Sequence, residues 1–135
     1  MVQIIDTSVA IKWFVVERGK EEALVVLEKL LESPKHFAVP ELFYFELSHV
    51  FNRLIPSPRA EQLELFQEVL RLSLHRCVMT AELVEKIRHF QKLGLSGYDA
   101  AYVGLAKILK GTWLTFYGKA HRKIASLKLS RLLGE

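Results

Sequence analysis

The segment Val2-Gln3-Ile4-Ile5-Asp6-Thr7-Ser8-Val9-Ala10 is a short apolar run that ends in an aspartate and passes directly into hydroxyl-bearing and small residues. A short apolar run bounded by polar residues is typical of a buried β-strand. We therefore predict a strand that ends at Asp6, with a helix close behind it. Strands that alternate with helices indicate an α/β fold built on a parallel sheet.

The same alternation continues along the rest of the chain. We predict strands at residues 2–5, 36–39, 76–79 and 112–116, and helices at residues 21–32, 40–54, 59–74, 81–92 and 97–110. Residues 127–133 fit a fifth, edge strand, although a short helix fits them almost as well. The predicted fold class is α/β, a three-layer sandwich in which a short parallel sheet of four or five strands lies between helices.

The predicted helix starts are marked by residues suited to them. Pro40 and Pro58 suit the first helical turn, because a proline there gives up an N–H that has no partner within the helix. Ser57, Thr80 and Ser96 suit N-cap positions, where a hydroxyl accepts a hydrogen bond from a free backbone N–H.

Length and composition indicate a single domain over residues 1–135, half hydrophobic and a quarter charged. We expect no membrane partner and a cytoplasmic location, because no apolar stretch approaches about 18 residues and no basic residues precede Asp6. Cys77 is the only cysteine, so no internal disulfide can form, as is usual in a reducing compartment. A net charge of +4 is compatible with a nucleic-acid partner without indicating one by itself.

Three acidic residues lie at predicted junctions, and each has a structural alternative. Asp6 can cap the helix that follows it. Asp99 stands three residues after Ser96, close to the spacing of a capping box. Glu46 lies on a helix that is apolar nearly all round, where a buried carboxylate needs a cation or a proton. His49, three residues further on, is the candidate partner for Glu46.

Taken together, the three acids predict a metal site. Ligands of parallel sheets bind at the carboxyl ends of the strands, where these side chains are expected to meet. Carboxylate oxygens are hard ligands that suit Mg²⁺ or Mn²⁺, and such ions most often serve phosphoryl chemistry. Trp13 is a candidate for stacking on a base, although a core position is the favoured interpretation. Candidate phosphate contacts are Lys12, Lys119, Arg122 and Lys123, and the alternative for the basic run is a solvated face.

Four motifs then occur in a recognisable order. They are Ile5-Asp6-Thr7-Ser8-Val9, Val39-Pro40-Glu41-Leu42 leading to Glu46, Leu95-Ser96-Gly97-Tyr98-Asp99-Ala100-Ala101-Tyr102, and Trp113-Leu114-Thr115. Over essentially its whole length the chain resembles PIN-domain proteins of the VapC type, the toxins of toxin–antitoxin pairs.

The resemblance implies a PIN-like sandwich and a Mg²⁺- or Mn²⁺-dependent endoribonuclease that cleaves RNA. It implies that Asp6, Glu46 and Asp99 are the catalytic and metal-binding acids, supported by hydroxyl groups at Thr7 or Ser8 and at Thr115. It also implies a homodimer and a cognate antitoxin protein as partners, with residues 9–16 as part of the antitoxin docking surface. The leucine-rich stretch 59–74 fits either an interface or the core.

The chain departs from the family at Tyr117, where the resemblance implies a fourth acid. Three interpretations stay open: a site that works with one well-held metal, a protein impaired in catalysis that binds RNA or antitoxin only, and an engineered or selected inactivating change. The first expectation is a metal-dependent ribonuclease toxin, and the alternative is a catalytically inactive PIN-like binding module. A phosphatase is less favoured, because no nucleophile motif followed by the expected lysine is present.

Overall fold

The computed structural model describes residues 1–134 and confirms the predicted α/β fold. The strands are β1 (Gln3–Ile5), β2 (Phe37–Pro40), β3 (His75–Cys77), β4 (Thr112–Thr115) and β5 (Ser130–Leu132). They form a five-stranded sheet in the order β3-β2-β1-β4-β5, and every neighbouring pair of strands is parallel. Helices flank the sheet to form a three-layer sandwich.

Seven α-helices connect and cover these strands within the described residues. The helices are α1 (Thr7–Ala10), α2 (Lys20–Glu32), α3 (Leu42–Leu54), α4 (Ala60–Arg71), α5 (Ala81–Lys92), α6 (Gly97–Leu109) and α7 (Gly118–Ile124). Helix α1 is short and continues into a 3₁₀ turn at Ile11–Trp13, whereas α6 is buried along most of its length and packs on β1, β2 and β4.

Two predicted helix starts are wrong. Helix α3 begins at Leu42 because Pro40 is the last residue of β2, where it pairs with Cys77. Helix α4 begins at Ala60, with Arg59 at its N-cap, instead of following a Ser57 cap. The side chain of Gln62 fixes this start, since its oxygen accepts a hydrogen bond from the Arg59 N–H at 2.9 Å.

Further differences concern the strands and the last helix. Strand β3 lies at His75–Cys77 instead of residues 76–79, because its register is set by parallel pairing with β2. The region 127–133 contains strand β5, which settles the choice between strand and helix. Helix α7 was not predicted, since only Ala120 and Ile124 of its seven residues are buried and give it too little apolar periodicity.

The topology places β1 at the middle of the sheet, between β2 and β4. The carboxyl ends of β1 and β4 are therefore adjacent, and Ile5 pairs with Leu114 there. Residues directly after these two strands share one edge of the sheet, as expected for a ligand site in an open parallel sheet. Within residues 1–134, no helix combines the length and apolar character required to cross a membrane.

Candidate active site

Asp6 follows β1 and is completely buried. Its Oδ1 atom accepts hydrogen bonds from the Ser8 N–H at 2.8 Å and from the Ser8 hydroxyl. Its Oδ2 atom accepts from Trp113 Nε1 at 2.8 Å and from Thr115 Oγ1 at 2.6 Å. Asp6 is thus the N-cap of α1, as its structural interpretation predicted, and its carboxylate is also bound to two side chains of β4.

Burial raises the pKa of Asp6 from 3.8 to about 6, although the four hydrogen bonds act in the opposite direction. The desolvation of the charged form therefore outweighs the donors around it. A carboxylate has about four lone-pair positions, and donors approach all four of them here. A metal ion at Asp6 would have to displace at least one of these donors.

Glu46 lies on α3 and is half-buried. Its Oε1 atom accepts a hydrogen bond of 2.6 Å from the hydroxyl of Tyr102 on α6. Burial raises the pKa of Glu46, the Tyr102 hydrogen bond lowers it, and the negative charge of Asp99 raises it again. The prediction that His49 is the partner was wrong, because His49 is exposed and Tyr102 takes that role.

Asp99 lies in the first turn of α6, where the predicted Ser96 cap is present. The backbone N–H of Asp99 donates to Ser96 Oγ at 3.1 Å. Burial raises the pKa of Asp99, while Ser96 and the positive charge of Lys123 lower it. Because Asp99 raises the pKa of Glu46, the charges of these two carboxylates interact although their helices are far apart in sequence.

Tyr117 follows β4 and precedes α7, and its hydroxyl lies 3.3 Å from Thr7 Oγ1. Burial is the largest cause that raises the pKa of Tyr117, and the negative charges of Asp6, Glu46 and Asp99 raise it further. The phenol is therefore neutral at physiological pH and lies within electrostatic range of all three acids. The chain thus places a neutral side chain where the resemblance implies a fourth carboxylate.

The three predicted hydroxyl residues are all buried at this edge of the sheet. Ser8 Oγ accepts a hydrogen bond from the Phe116 N–H at 2.9 Å, and Thr115 Oγ1 accepts one from the Tyr117 N–H at 3.0 Å. The hydroxyl groups of Ser8 and Thr115 also donate to Asp6, so these two link the end of β1 to the loop after β4, whereas the Thr7 hydroxyl contacts Tyr117. The hydroxyl groups thereby hold Asp6 and Tyr117 at fixed positions relative to each other.

Sequence reasoning missed two aromatic members of the site, Trp113 and Tyr102. Trp113 lies two residues before Thr115 on β4 and on the same face of the sheet. The supporting role predicted for Thr115 was therefore a signal for Trp113 as well. Tyr102 lies one turn after Asp99 on α6, and its ring lies nearly parallel to that of Trp113, with 6.2 Å between centroids. The two aromatic side chains connect the acids, because Trp113 donates to Asp6 and Tyr102 donates to Glu46.

The predicted phosphate contacts separate into two groups. Lys12 forms an ion pair of 2.7 Å with Glu17 and stands over the Phe116 ring, so its charge already has a partner. Lys119 and Lys123 line a cavity of about 590 Å³ together with Asp99 and Tyr117. Arg122 contributes to the same surface, because its guanidinium lies against Gly118, which also lines this cavity. Trp13 is buried and donates to Ala23 O at 2.9 Å, which places it in the core.

The oxygen donors of this site have the chemistry of ligands for a divalent cation, but their arrangement does not form a complete ligand set. Carboxylate and hydroxyl oxygens are hard ligands of the type that Mg²⁺ and Mn²⁺ prefer. Among residues 1–134, however, no group of three His, Cys, Asp or Glu side chains is placed to hold one ion. Asp6 accepts four hydrogen bonds, whereas Glu46 accepts one from Tyr102 and the Asp99 carboxylate accepts none from another residue's backbone or side chain among those described, so the assignment of all three acids as metal ligands stays a prediction.

The family model of the PIN domain matches residues 4–127. The chain belongs to the PIN domain family. The matched residues include Glu46, Asp99, Tyr117, and Asp6 with its hydrogen-bond donors. It confirms the family that the four sequence motifs indicated.

Solved structures share the fold of this PIN domain. The fold resembles that of a toxin-antitoxin complex from Klebsiella pneumoniae, at a TM-score of 0.69 and 15% identity, with 96% of this chain and 95% of that chain covered. It also resembles a crystallised protein from Pyrobaculum aerophilum, at a TM-score of 0.65 and 17% identity, with 91% and 79% covered. The chain matches no curated protein sequence at a significant level. At these identities the structural likeness establishes the fold alone.

Proposed function

We propose that this PIN domain is an endoribonuclease that requires Mg²⁺ or Mn²⁺ and acts as the toxin of a toxin–antitoxin pair. The observation that carries the proposal is that α6 brings Asp99 within electrostatic range of Glu46 on α3, where Tyr102 of α6 donates a hydrogen bond to Glu46. Both carboxylates are half-buried, both have raised pKa values, and the charge of Asp99 acts on Glu46. Burial disfavours the charged forms of both carboxylates, and the charge of Asp99 adds to this effect at Glu46. A cation bound between them would stabilise these charged forms.

In this proposal Glu46 and Asp99 bind the ion. When bound, a divalent cation supplies positive charge to the phosphodiester and lowers the pKa of water. Tyr102 orients Glu46 through its hydrogen bond, and Asp6 fixes the end of β1 against β4. Lys119 and Lys123 line the cavity beside Asp99, where they are placed to bind phosphate oxygens of RNA.

The proposal includes two protein partners, an antitoxin and a second copy of the chain. The toxin-antitoxin complex from Klebsiella pneumoniae, which covers nearly the whole chain, supports the first of them. Residues 9–16 were predicted to be part of the docking surface, but most of this stretch is buried, and its exposed residue is Val16. The cytoplasmic location also stays a prediction.

A second candidate function is a PIN-like module that binds RNA or antitoxin without cleaving. Two observations favour it. Tyr117 stands where the resemblance implies a fourth acid, and the Asp6 carboxylate accepts hydrogen bonds from four donors. Both reduce the number of negative charges that a metal ion can reach.

Calorimetric titration with Mn²⁺, combined with RNA cleavage on the same samples, distinguishes these functions. The variants are Asp99→Asn and Tyr117→Asp, and Glu82→Gln is the matched control because Glu82 occupies the first turn of α5 as Asp99 does that of α6. We expect the unmodified chain to bind Mn²⁺ and cleave RNA, Asp99→Asn to lose both, and Glu82→Gln to keep both.

We expect Tyr117→Asp to bind Mn²⁺ more tightly, because it adds a carboxylate where three others act. A chain that neither binds Mn²⁺ nor cleaves until aspartate stands at 117 would refute the nuclease proposal for this sequence and support the binding module. Binding and cleavage unaffected by Asp99→Asn would show that the metal and the chemistry lie elsewhere.

A further inference from the structure

Tyr117 carries a phenol hydroxyl that contributes little to the fold. Its side chain is 42% exposed. The backbone around it is nevertheless fixed, because the Tyr117 N–H donates to Thr115 Oγ1 at 3.0 Å and the Phe116 N–H donates to Ser8 Oγ at 2.9 Å. The residue is therefore held in place by the buried edge of the sheet while its hydroxyl group stays open to a ligand.

The hydrogen bonds of this phenol leave its own proton without a good acceptor. Thr7 Oγ1 is the only partner of the hydroxyl among residues 1–134, and the two oxygens lie 3.3 Å apart. Hydroxyl groups in a strong hydrogen bond lie about 2.7–2.8 Å apart, so this contact is weak. Thr7 is buried and has no other side-chain partner in the described residues, so its hydroxyl is the donor of the pair. The phenol proton is then left for an acceptor outside the chain.

The cavity beside Tyr117 has an excess of positive charge. Its volume is about 590 Å³, and the charged residues that line it are Asp99, Lys119 and Lys123. Lys123 Nζ donates to Gly94 O at 2.7 Å, whereas Lys119 has no hydrogen-bond or ion-pair partner among residues 1–134. The cavity therefore suits an anionic ligand, and the phenol lines its wall.

A phenol at position 117 suits an anion better than the carboxylate that the resemblance implies there. Burial and the negative charges of Asp6, Glu46 and Asp99 raise the pKa of Tyr117, so the hydroxyl keeps its proton. A protonated phenol donates a hydrogen bond, whereas an ionised carboxylate only accepts hydrogen bonds and repels an anion. The same position thus favours an anionic ligand in this chain and a cation in a chain with aspartate there.

We propose that the Tyr117 hydroxyl binds a phosphate oxygen of the substrate directly, beside Lys119 and Lys123. The inference rests on the proposed function, because the ligand is the RNA phosphodiester of the same cavity. It gives position 117 a role in substrate binding in place of a role in metal binding. The phenol donates one hydrogen bond to a charged oxygen, the lysines supply the positive charge, and Thr7 orients the phenol.

The test is RNA binding without metal. A fluorescently labelled single-stranded RNA oligonucleotide is titrated in EDTA with the unmodified chain and with Tyr117→Phe, which removes the hydroxyl and keeps the ring. We expect fluorescence anisotropy to give a Kd about 10-fold weaker for Tyr117→Phe, the loss of one hydrogen bond to a charged oxygen. Tyr98→Phe is the matched control and keeps the original Kd, because Tyr98 is also exposed but lines a different, apolar cavity. Equal Kd values for the unmodified chain and Tyr117→Phe would overturn the proposal, as would a failure of the unmodified chain to bind this RNA.

The salt dependence of binding separates a lost hydrogen bond from a displaced cavity wall. Tyr117→Phe removes no charge, so the slope of log Kd against log salt concentration is expected to equal that of the unmodified chain. Lys119→Gln is expected to reduce this slope by about 0.7, the value for one phosphate contact of a single strand. A reduced slope for Tyr117→Phe would show that the substitution displaces the lysines, and the proposal would be wrong.

The affinities for RNA and for Mn²⁺ are expected to change in opposite directions at position 117. In EDTA, Tyr117→Asp is expected to bind RNA more weakly than Tyr117→Phe does, because it removes the donor and adds a repelling charge. In calorimetry without RNA, Tyr117→Asp is expected to bind Mn²⁺ more tightly than Tyr117→Phe. An RNA affinity of Tyr117→Asp in EDTA equal to that of the unmodified chain would contradict the proposed contact.

Two comparisons assign the acceptor and separate this inference from the nuclease proposal. Phosphate is common to all sequences, so oligo-uridine and oligo-adenosine are expected to show the same loss with Tyr117→Phe; a loss confined to one of them would assign the contact to a base and overturn the proposal. If the loss occurs while no metal-dependent cleavage is found, the phosphate contact stands and the nuclease function falls. If cleavage is found while Tyr117→Phe keeps the original Kd, the nuclease function stands and this inference falls.

Discussion

Replacement of Thr115 by valine removes one hydrogen bond from the buried Asp6 carboxylate and keeps the branched shape of the side chain. Thr115 is completely buried, and its Oγ1 donates to Asp6 Oδ2 at 2.6 Å. The same hydroxyl accepts a hydrogen bond from the Tyr117 N–H at 3.0 Å. The substitution therefore removes one donor to a charge and one acceptor for a backbone amide.

The expected loss of stability has two components. A hydrogen bond to a charged group contributes about 1.5–3 kcal/mol, and the backbone amide of Tyr117 adds about 1 kcal/mol. The first component acts only while Asp6 is ionised, and it corresponds to a further rise in the Asp6 pKa of about 1–2 units. Since the pKa of Asp6 in the folded chain is already about 6, the variant would titrate near neutral pH or above.

The pH dependence follows from the sign of this shift. The folded pKa of Asp6 lies above its value of 3.8 in the unfolded chain, so Asp6 lowers stability as pH rises from about 4 to about 6. In Thr115→Val that loss continues to a higher pH, because the folded pKa is higher still. The two proteins thus differ least near pH 5, where both hold Asp6 protonated, and most near about pH 8.5.

Urea unfolding at these two pH values measures the effect. Thr112→Val is the matched control, since Thr112 lies on the same strand and its hydroxyl contacts only Met1 Sδ, at 3.5 Å, among the residues that the structure describes. We expect a loss of about 2.5–4 kcal/mol for Thr115→Val at the higher pH and about 1 kcal/mol at the lower. Equal losses at both pH values would refute the argument that Thr115 stabilises the charged form of Asp6.

Three further substitutions test separate contacts. Tyr102→Phe removes the donor to Glu46 and is expected to raise the pKa of Glu46 further, measured by NMR titration; an unchanged pKa would contradict the contact. Gly111→Ala places a Cβ atom into the Val2 carbonyl oxygen, so thermal unfolding should show a loss of at least about 2 kcal/mol, and a neutral result would contradict the close approach. Tyr44→Phe removes a buried hydroxyl without a hydrogen-bond partner in residues 1–134, so urea unfolding should show a neutral change or a gain of up to about 1 kcal/mol; a clear loss would reveal a missed partner.

Local patterns were sufficient to predict the sheet and most helices. The apolar run before Asp6 and the Thr80 cap depend on residues within one or two turns, and both occur in the structure. The boundaries at Pro40 and Arg59 depended on distant partners. Cys77 on β3 pairs with Pro40, and the Gln62 amide that reaches back to Arg59 is also held by Phe14 O at 2.9 Å.

The sequence named the three acids of the candidate site, whose role stays a prediction, but it did not indicate the side chains that contact them. Asp6, Glu46 and Asp99 are unusual in their own segments, so a single sequence indicates them. Trp113 and Tyr102 are ordinary core residues by sequence, and they become partners of these acids only when β4 and α6 pack beside β1 and α3. His49 was preferred to Tyr102 because helical spacing is visible in a sequence, whereas contacts between helices are not.

Tyr117 connects the stability of the fold to the metal affinity of its site. The pKa values of Asp6, Glu46 and Asp99 are all raised, so their charges are already unfavourable in the folded chain. A fourth carboxylate at position 117 would increase that repulsion, and a bound cation would then be needed to offset it. The neutral phenol of Tyr117, which contacts Thr7, adds no repulsion and requires no bound cation to offset it. A gain of metal affinity through aspartate at 117 must therefore appear together with a loss of stability in EDTA, and Mn²⁺ must restore that stability by mass action.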